Sequence, residues 1–244
     1  MTICLIGATS GIATAYARRE AVDGACFYLT ASSAERLEAL TRDLTVRGAV
    51  SVETKVLDLS STADLGGLGK WIQGLPHIDR ALMATGVLTE NESAAPSLAR
   101  DVLVNVGSAL VAGEALYRKL TDQEDGGSLV MIGSVAGDRG RQSNYCYGAQ
   151  KAAVETFARG LQHKAAVSRS SVKVQLVKPG PVETRMTAHM KPSALMISAD
   201  AAGQGIQKAF QRSRSGVAYL PGRWRFIMAI IRSLPRFIFH RLEL

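Results

Sequence analysis

Seven short apolar runs punctuate the chain, at residues 2–7, 25–31, 50–57, 79–86, 128–134, 172–178 and 217–220. Stretches of helical period lie between them, near 11–22, 33–47, 62–74, 97–121 and 145–168. This alternation marks βαβ units, in which each helix crosses back over a parallel sheet. Strands covered on both faces read as continuous apolar runs, as these do. The expected fold is α/β: one doubly wound domain with a seven-stranded parallel sheet in the order 3-2-1-4-5-6-7 and helices on both faces. At 244 residues the chain has room for one such core and little more. Irregular stretches are expected at 87–96, 135–144 and 179–199, the last long enough to form a lid.

Other classes fall away on simple counts. The three cysteines, Cys4, Cys26 and Cys146, are odd in number and match no metal-ligand spacing. A disulfide scaffold is excluded, and a reducing, cytoplasmic setting is expected. The opening MTICLIGATSG has no basic segment and no apolar stretch of signal-peptide length, so the chain is expected to start inside its fold. His77, His163, His189 and His240 form no cluster, and no metal site is expected. Lys and Arg number 29 against 21 Asp and Glu, a formal net charge of +8. Residues 211–244 hold seven arginines and the single acid Glu243, so that segment alone carries +6 of it. The near-neutral main body argues against nucleic acid as a partner.

The first apolar run ends at Gly7 and passes through G-A-T-S-G-I-A into a helix. Gly7 and Gly11 stand where backbone must bend tightly and approach a pyrophosphate. Free N–H groups at the helix start, around Thr9, Ser10 and Ile12, favour its charge. The spacing is wider than the common dinucleotide fingerprint, and Ala13 replaces a third glycine. Alone, the segment also reads as a plain strand-to-helix turn. About 20 residues on, where an acid would select NAD, the chain reads Ala31, Ser32, Ser33. With no carboxylate to repel a 2′-phosphate, and with Arg36 near, NADP is favoured over NAD; Glu35 keeps NAD open. Asp58 and Leu59 end the third strand, where Asp58 would meet an adenine or cap the next helix.

Tyr147 and Lys151 are four apart in YGAQK at a helix start, so both face one way. Ser134 ends an apolar run thirteen residues earlier, and Asn105 lies in VLVNVGS. Strands of a parallel sheet end at one edge, so Gly7, Gly86, Ser134 and Pro179 are expected to line one crevice.

Taken in order, GATSGIA, Asp58, the strand ending at Gly86, Asn105, Ser134, Tyr147 with Lys151, and PGPVET at 179–184 resemble the short-chain dehydrogenase/reductase family over almost the whole chain. Ala13 and the turn Met83-Ala84-Thr85-Gly86 depart from its pattern. The resemblance implies a Rossmann fold and an NAD(P)(H)-dependent oxidoreductase acting on a carbonyl or secondary alcohol. It makes Tyr147 the acid and base, with Lys151 as its activator and a ribose partner. Ser134 would orient the carbonyl, and Asn105 would hold a water leading to solvent. A tyrosine normally titrates near pH 10, and an adjacent ammonium is expected to lower that value. Pro179, Gly180, Val182 and Thr184 would meet the nicotinamide amide, unless Thr184 instead caps the following helix. Relatives pair through helices corresponding to 97–121 and 145–168, implying a homodimer or homotetramer. A catalytically silent nucleotide sensor or membrane scaffold is the contrasting class, and the intact Ser134, Tyr147 and Lys151 argue against it.

Residues 1–222 are thus assigned to a nucleotide-binding catalytic domain, and 223–244 to a basic apolar segment of that domain facing its own body, a partner or a membrane. The longest uncharged run there, Phe226 to Ile231, is far short of the roughly 20 residues that span a bilayer. Its aromatic and aliphatic residues would suit an interfacial layer, with the arginines on lipid phosphates. This tail and TRMTAHM resemble a narrower branch that reduces polyprenyl-phosphate-linked keto-sugars, which offers a lipid-linked carbonyl substrate as an alternative to a small molecule.

Overall fold

The structure is a computed structural model describing residues 1–91, 95–191 and 193–242. Residues 92–94 of the expected irregular stretch 87–96, Pro192 of the lid stretch, and Glu243, the tail's one acid, lie outside the described residues.

Six strands come first: β1 (Thr2–Ile6), β2 (Cys26–Ala31), β3 (Ser51–Val56), β4 (Arg80–Met83), β5 (Ser128–Ile132) and β6 (Lys173–Pro179). β7 (Val182–Glu183) and β8 (Ile197–Ser198) form a separate parallel pair, and β9 (Gly216–Leu220) returns to the main sheet. That sheet runs β3-β2-β1-β4-β5-β6-β9 with every neighbour parallel, which is the expected order. The helices are α1 (Gly11–Ala21), α2 (Ala34–Arg47), α3 (Thr62–Gly74), α4 (Ala95–Val102), α5 (Ser108–Thr121), α6 (Tyr145–Val167), α7 (Ala199–Phe210), α8 (Trp224–Ser233) and α9 (Arg236–Phe239).

Successive strand residues point to opposite faces, and both faces are covered. Cys4 and Ile6 join a core with Leu68, Ile72, Leu116 and Leu161 from α3, α5 and α6. Ile3 and Leu5 join the other, with Tyr16, Leu37, Leu44 and Ile206 from α1, α2 and α7. β3 differs from the expected buried strand. It is the sheet edge, largely exposed, and Glu53 and Lys55 give it the charge that keeps an open edge from pairing with other chains.

Two features were not visible in the pattern. The expected helix 97–121 is broken into α4, a π-helical turn at Leu103–Gly107, and α5, and the turn carries Asn105 into the interior. Such insertions recur at functional sites. α7 fills a span with no expected element, and its small residues serve packing: a Cβ at Gly203 would lie 2.9 Å from Tyr16 N. Tyr16 and Phe210 stack at 5.2 Å across that contact. For the tail, of the three alternatives left open, packing on its own body is seen, with Trp224 and Met228 buried against Val135. Arg139 donates to the Ile231 carbonyl and, at 2.8 Å, to that of Leu234, and lies 3.7 Å from the Phe239 ring centroid. Among the described residues, no helix is long and apolar enough to cross a membrane.

Candidate active site

A cleft of about 1690 Å³ opens along the carboxyl edge of the sheet, where the segments following β1, β4, β5 and β6 converge. At its centre β1 runs into α1. Gly7 takes φ +80°, and its N–H, like that of Ala8, donates to the Thr30 carbonyl at 2.9 Å. A Cβ there would stand 3.0 Å from Ala84 C and Thr85 N, so only glycine lets β1 and β4 exit this closely. A Cβ at Gly11 would meet Thr184 Cγ2 at 2.8 Å. Ser10 precedes α1 without capping it through its side chain, leaving the first amides of the helix without partners inside it. Thr9, Ser10, Gly11 and Ile12 face the cleft. A glycine-narrowed cradle with unpaired N–H donors fits a pyrophosphate. Ala13 is fully buried, so its methyl is accommodated where a third glycine was expected.

The residues expected around the adenosine divide. Arg36 lines the cleft, whereas Ser32, Ser33, Asp58 and Leu59 are not on its wall. Ser33 caps α2, its Oγ accepting from Arg36 N at 3.2 Å. Asp58 Oδ1 accepts from Ser60 N at 3.0 Å and Ser60 Oγ at 2.8 Å, and these bonds hold its carboxyl below the usual range. Asp58 thus closes a local turn. The cap of α3 is Ser61, and Leu59 belongs to the core.

At the other end, Ser134 ends the β5 segment, its Oγ accepting from Ala136 N at 3.1 Å, and it shares the cleft wall with Tyr147 in the first turn of α6. One turn on, the buried Lys151 places Nζ 5.7 Å from the Tyr147 ring centroid and donates to the Ile132 carbonyl at 3.4 Å. Asn105 ties the exit of β4 to the π turn: Val87 N donates to its Oδ1 at 2.8 Å, and its Nδ2 donates to Val87 O at 2.9 Å. Nδ2 also reaches Gln150 Oε1 at 2.5 Å. A Cβ on Gly86 would be 3.3 Å from both Asn105 Oδ1 and Lys151 Nζ, which accounts for glycine there.

Burial pushes the Tyr147 hydroxyl up to about 12, the nearby Ser134 hydroxyl opposing it only in part. Burial brings Lys151 down to about 8. The direction for Tyr147 is opposite to the expected lowering. Desolvation dominates, and the Lys151 cation is drawn toward the Ile132 carbonyl.

Pro179, Gly180, Val182 and Thr184 line the cleft as expected. Thr184 also begins the 3₁₀ turn Arg185–Thr187, its N–H donating to Thr187 Oγ1 at 3.1 Å, which is the helix-cap position of the alternative reading. Two cleft residues escaped sequence reasoning. Trp224 of the tail packs its indole edge against Gly180, where a Cβ would lie 2.0 Å from Nε1. Arg141 lines the same cleft as Ser134 and Tyr147. Trp224 begins α8 in the apolar tail, whose partner the sequence left open, whereas Arg141 sits at no motif position and in no periodic element, so no sequence signal marks it.

A short chain dehydrogenase family model matches residues 1–194. An uncharacterized oxidoreductase of Mycobacterium tuberculosis is 31% identical, over 98% of this chain and 96% of its own length. Sulfoacetaldehyde reductase 2 of Chromohalobacter salexigens is 33% identical, over 76% of this chain and 74% of its own. A short-chain dehydrogenase from Sphingobium yanoikuyae, solved in complex with NADPH, superposes with a TM-score of 0.82 at 25% identity, covering 96% of each chain. The chain belongs to the short-chain dehydrogenase family and is an NAD(P)-dependent oxidoreductase.

Proposed function

We propose that the protein interconverts a carbonyl and a secondary alcohol at Tyr147, with NADPH preferred over NADH. The observation that carries this reading is Ser134 and Tyr147 on the wall of one cleft, with Lys151 buried one turn along α6 from the tyrosine. A nicotinamide dinucleotide, held by the 7–12 loop and by 179–184, supplies or accepts the hydride when bound. Charge then builds on the carbonyl oxygen, and the Tyr147 hydroxyl delivers the proton while the Ser134 hydroxyl donates to the same atom. Lys151, positively charged below pH 8, stabilises the phenolate left behind. Asn105 acts as a positioning residue, since its side-chain groups, expected to hold a water, hydrogen-bond Val87 and Gln150. The NADPH preference is supported by the absence of an acid at 31–33 and by Arg36 on the cleft wall.

The test is a panel of aldehydes and ketones with NADPH and with NADH, followed at 340 nm. Reduction of at least one carbonyl, faster with NADPH, is expected; cofactor binding with no carbonyl turned over would sink the reading. Exposed Val102, Leu110 and Val111 along α4 and α5 support pairing of copies there, as a homodimer or homotetramer. A second reading has Phe226, Ile230 and Phe237, exposed among Arg225, Arg232 and Arg236, touching an anionic bilayer to reach a lipid-linked carbonyl such as a keto-sugar. Phe226→Ser with Ile230→Ser, which spares the buried Trp224 and Met228, is expected to release the protein from anionic liposomes; unchanged association removes that reading.

A further inference from the structure

The loop between Ser134 and α6 holds a cation that the acid–base centre does not use. Arg141 sits in extended backbone just before the turn Gln142–Asn144 that leads into α6, and it lines the same cleft as Ser134 and Tyr147. Its Nε is enclosed and makes no hydrogen bond. Among the described residues no carboxylate stands within ion-pair distance of its guanidinium. Asp138, the acid whose charge reaches it, is committed to Lys178 and to the Tyr219 hydroxyl, which donates at 2.8 Å. Three residues on, Asn144 Oδ1 is also buried without a partner. Partial burial lowers the Arg141 pKa, and the charge of Asp138 opposes this without reversing it.

Of the other cations at the cleft, Arg36 lines the wall without an ion pair among the described residues and is the residue read as meeting a 2′-phosphate, and Arg47 pairs with Asp43. Lys151 donates to Ile132, Arg185 reaches the Thr9 carbonyl at 3.5 Å, and Arg18 and Arg19 pair with Asp43 and Asp200. His189 and Glu90 are exposed on the rim, where solvent screens them. Asn91 holds the arginine's loop in place, donating to Gln142 O at 2.6 Å and accepting from Cys146 N at 3.3 Å. A pre-positioned guanidinium without a counter-ion is a site whose desolvation cost a bound anion offsets.

We propose that Arg141 binds an oxyanion group carried by the carbonyl substrate: a sulfonate, carboxylate or phosphate monoester. This rests on reading the cleft as a carbonyl reductase site. The test titrates ethanesulfonate, butyrate, propyl phosphate and uncharged butan-1-ol against the NADPH complex by ligand-observed NMR. At least one anion is expected to bind more tightly than the alcohol, and to weaken on the order of 10- to 100-fold in Arg141→Gln. Arg141→Lys keeps the charge without the planar fork, and a several-fold loss is expected should the glutamine variant not fold. No anion binding to the wild type, binding no tighter than the alcohol's, or undiminished binding to the variant overturns the proposal. Which anion binds separates a phosphorylated carbonyl from a sulfonated or carboxylated one. In turnover, the kcat/KM preference for an anionic over a matched neutral carbonyl is expected to collapse in Arg141→Gln while KM for NADPH stays; a retained preference also overturns it. Failure of the reductase reading shows separately, as anion binding with no carbonyl reduced.

Discussion

Lys151 Nζ lies 5.7 Å from the centre of the Tyr147 ring and donates not to the tyrosine but to the Ile132 carbonyl. Both side chains project from the same face of α6 one turn apart. The pair is thus aligned by the helix and separated by the strand end that takes the ammonium. That arrangement leaves Tyr147 protonated across the neutral range and Lys151 close to its titration point.

Tyr147→Phe keeps the ring and removes only the hydroxyl. Turnover is expected to fall by roughly 10²–10⁴-fold, with NADPH affinity and melting temperature near wild type. Ser134→Ala is expected to follow the same pattern more weakly, because it removes one donor and leaves the proton source. Steady-state rates beside a fluorescence titration of NADPH check both; turnover of the phenylalanine variant within a few-fold of wild type refutes the assignment.

Lys151 and Tyr147 make opposite contributions to stability against pH. Folded Lys151 titrates at about 8 against 10.5 when free, so the cost of burying its charge is full below pH 8 and fades as pH rises to 10.5. Folded Tyr147 titrates at about 12 against 10.0, so its contribution is full below pH 10 and is lost as pH rises to 12. Lys151→Met is therefore expected to be more stable than wild type at pH 7, by up to roughly 3 kcal/mol, with the gap shrinking at pH 10. Urea unfolding at the two pH values measures it. Carbonyl reduction by the wild type is expected to decline above pH 8, as Lys151 loses its proton.

Strand positions were legible because residues such as Ile3 to Ile6 are buried on both faces, and a run apolar on both faces has no other use in a domain this size. Ser134, Tyr147 and Lys151 were legible because two are helix neighbours and the third ends a strand at the same sheet edge. What escaped depends on packing between distant segments. The residues of α7 look like loop material until α1 is laid against Gly203. Nothing periodic marks the π turn that buries Asn105, and Asp58 and Ser33 were drawn into local turns that compete for any short polar side chain.

Asn105→Ala is expected to act through Val87. Removing the amide leaves the Val87 N–H and carbonyl without the bonds that join β4 to the π turn, a loss of about 1–3 kcal/mol. The cleft floor around Gly86 and Lys151 then loosens, so kcat is expected to fall more than NADPH affinity. Chemical denaturation with kinetics on the same samples checks this, and an unchanged unfolding midpoint rules it out.

Cofactor choice is expected to turn on Arg36 and on the acid missing at 31–33. Arg36→Gln removes a cation from the cleft wall and is expected to weaken NADPH on the order of tenfold while leaving NADH nearly unchanged. Ser32→Asp adds a carboxylate near the same region and is expected to push preference toward NADH. Parallel titrations with the two cofactors decide it. A uniform change for both would show that neither position senses the 2′-phosphate.

Gly11 and Thr184 are expected to behave as one unit, because the space a Cβ at residue 11 would need is occupied by Thr184 Cγ2 at 2.8 Å. Gly11→Ala should push the 179–184 segment away from the loop between β1 and α1 and weaken NADPH by about tenfold or more. Thr184→Ser keeps the hydroxyl and deletes that methyl, leaving Cβ at 3.2 Å as the nearest contact. In the Thr184→Ser background, Gly11→Ala should therefore cost less than it does alone. Four dissociation constants, for wild type, both single variants and the double, close the cycle. A cost independent of residue 184 would mean that glycine is needed at 11 for approach to the ligand itself, not for packing against Thr184.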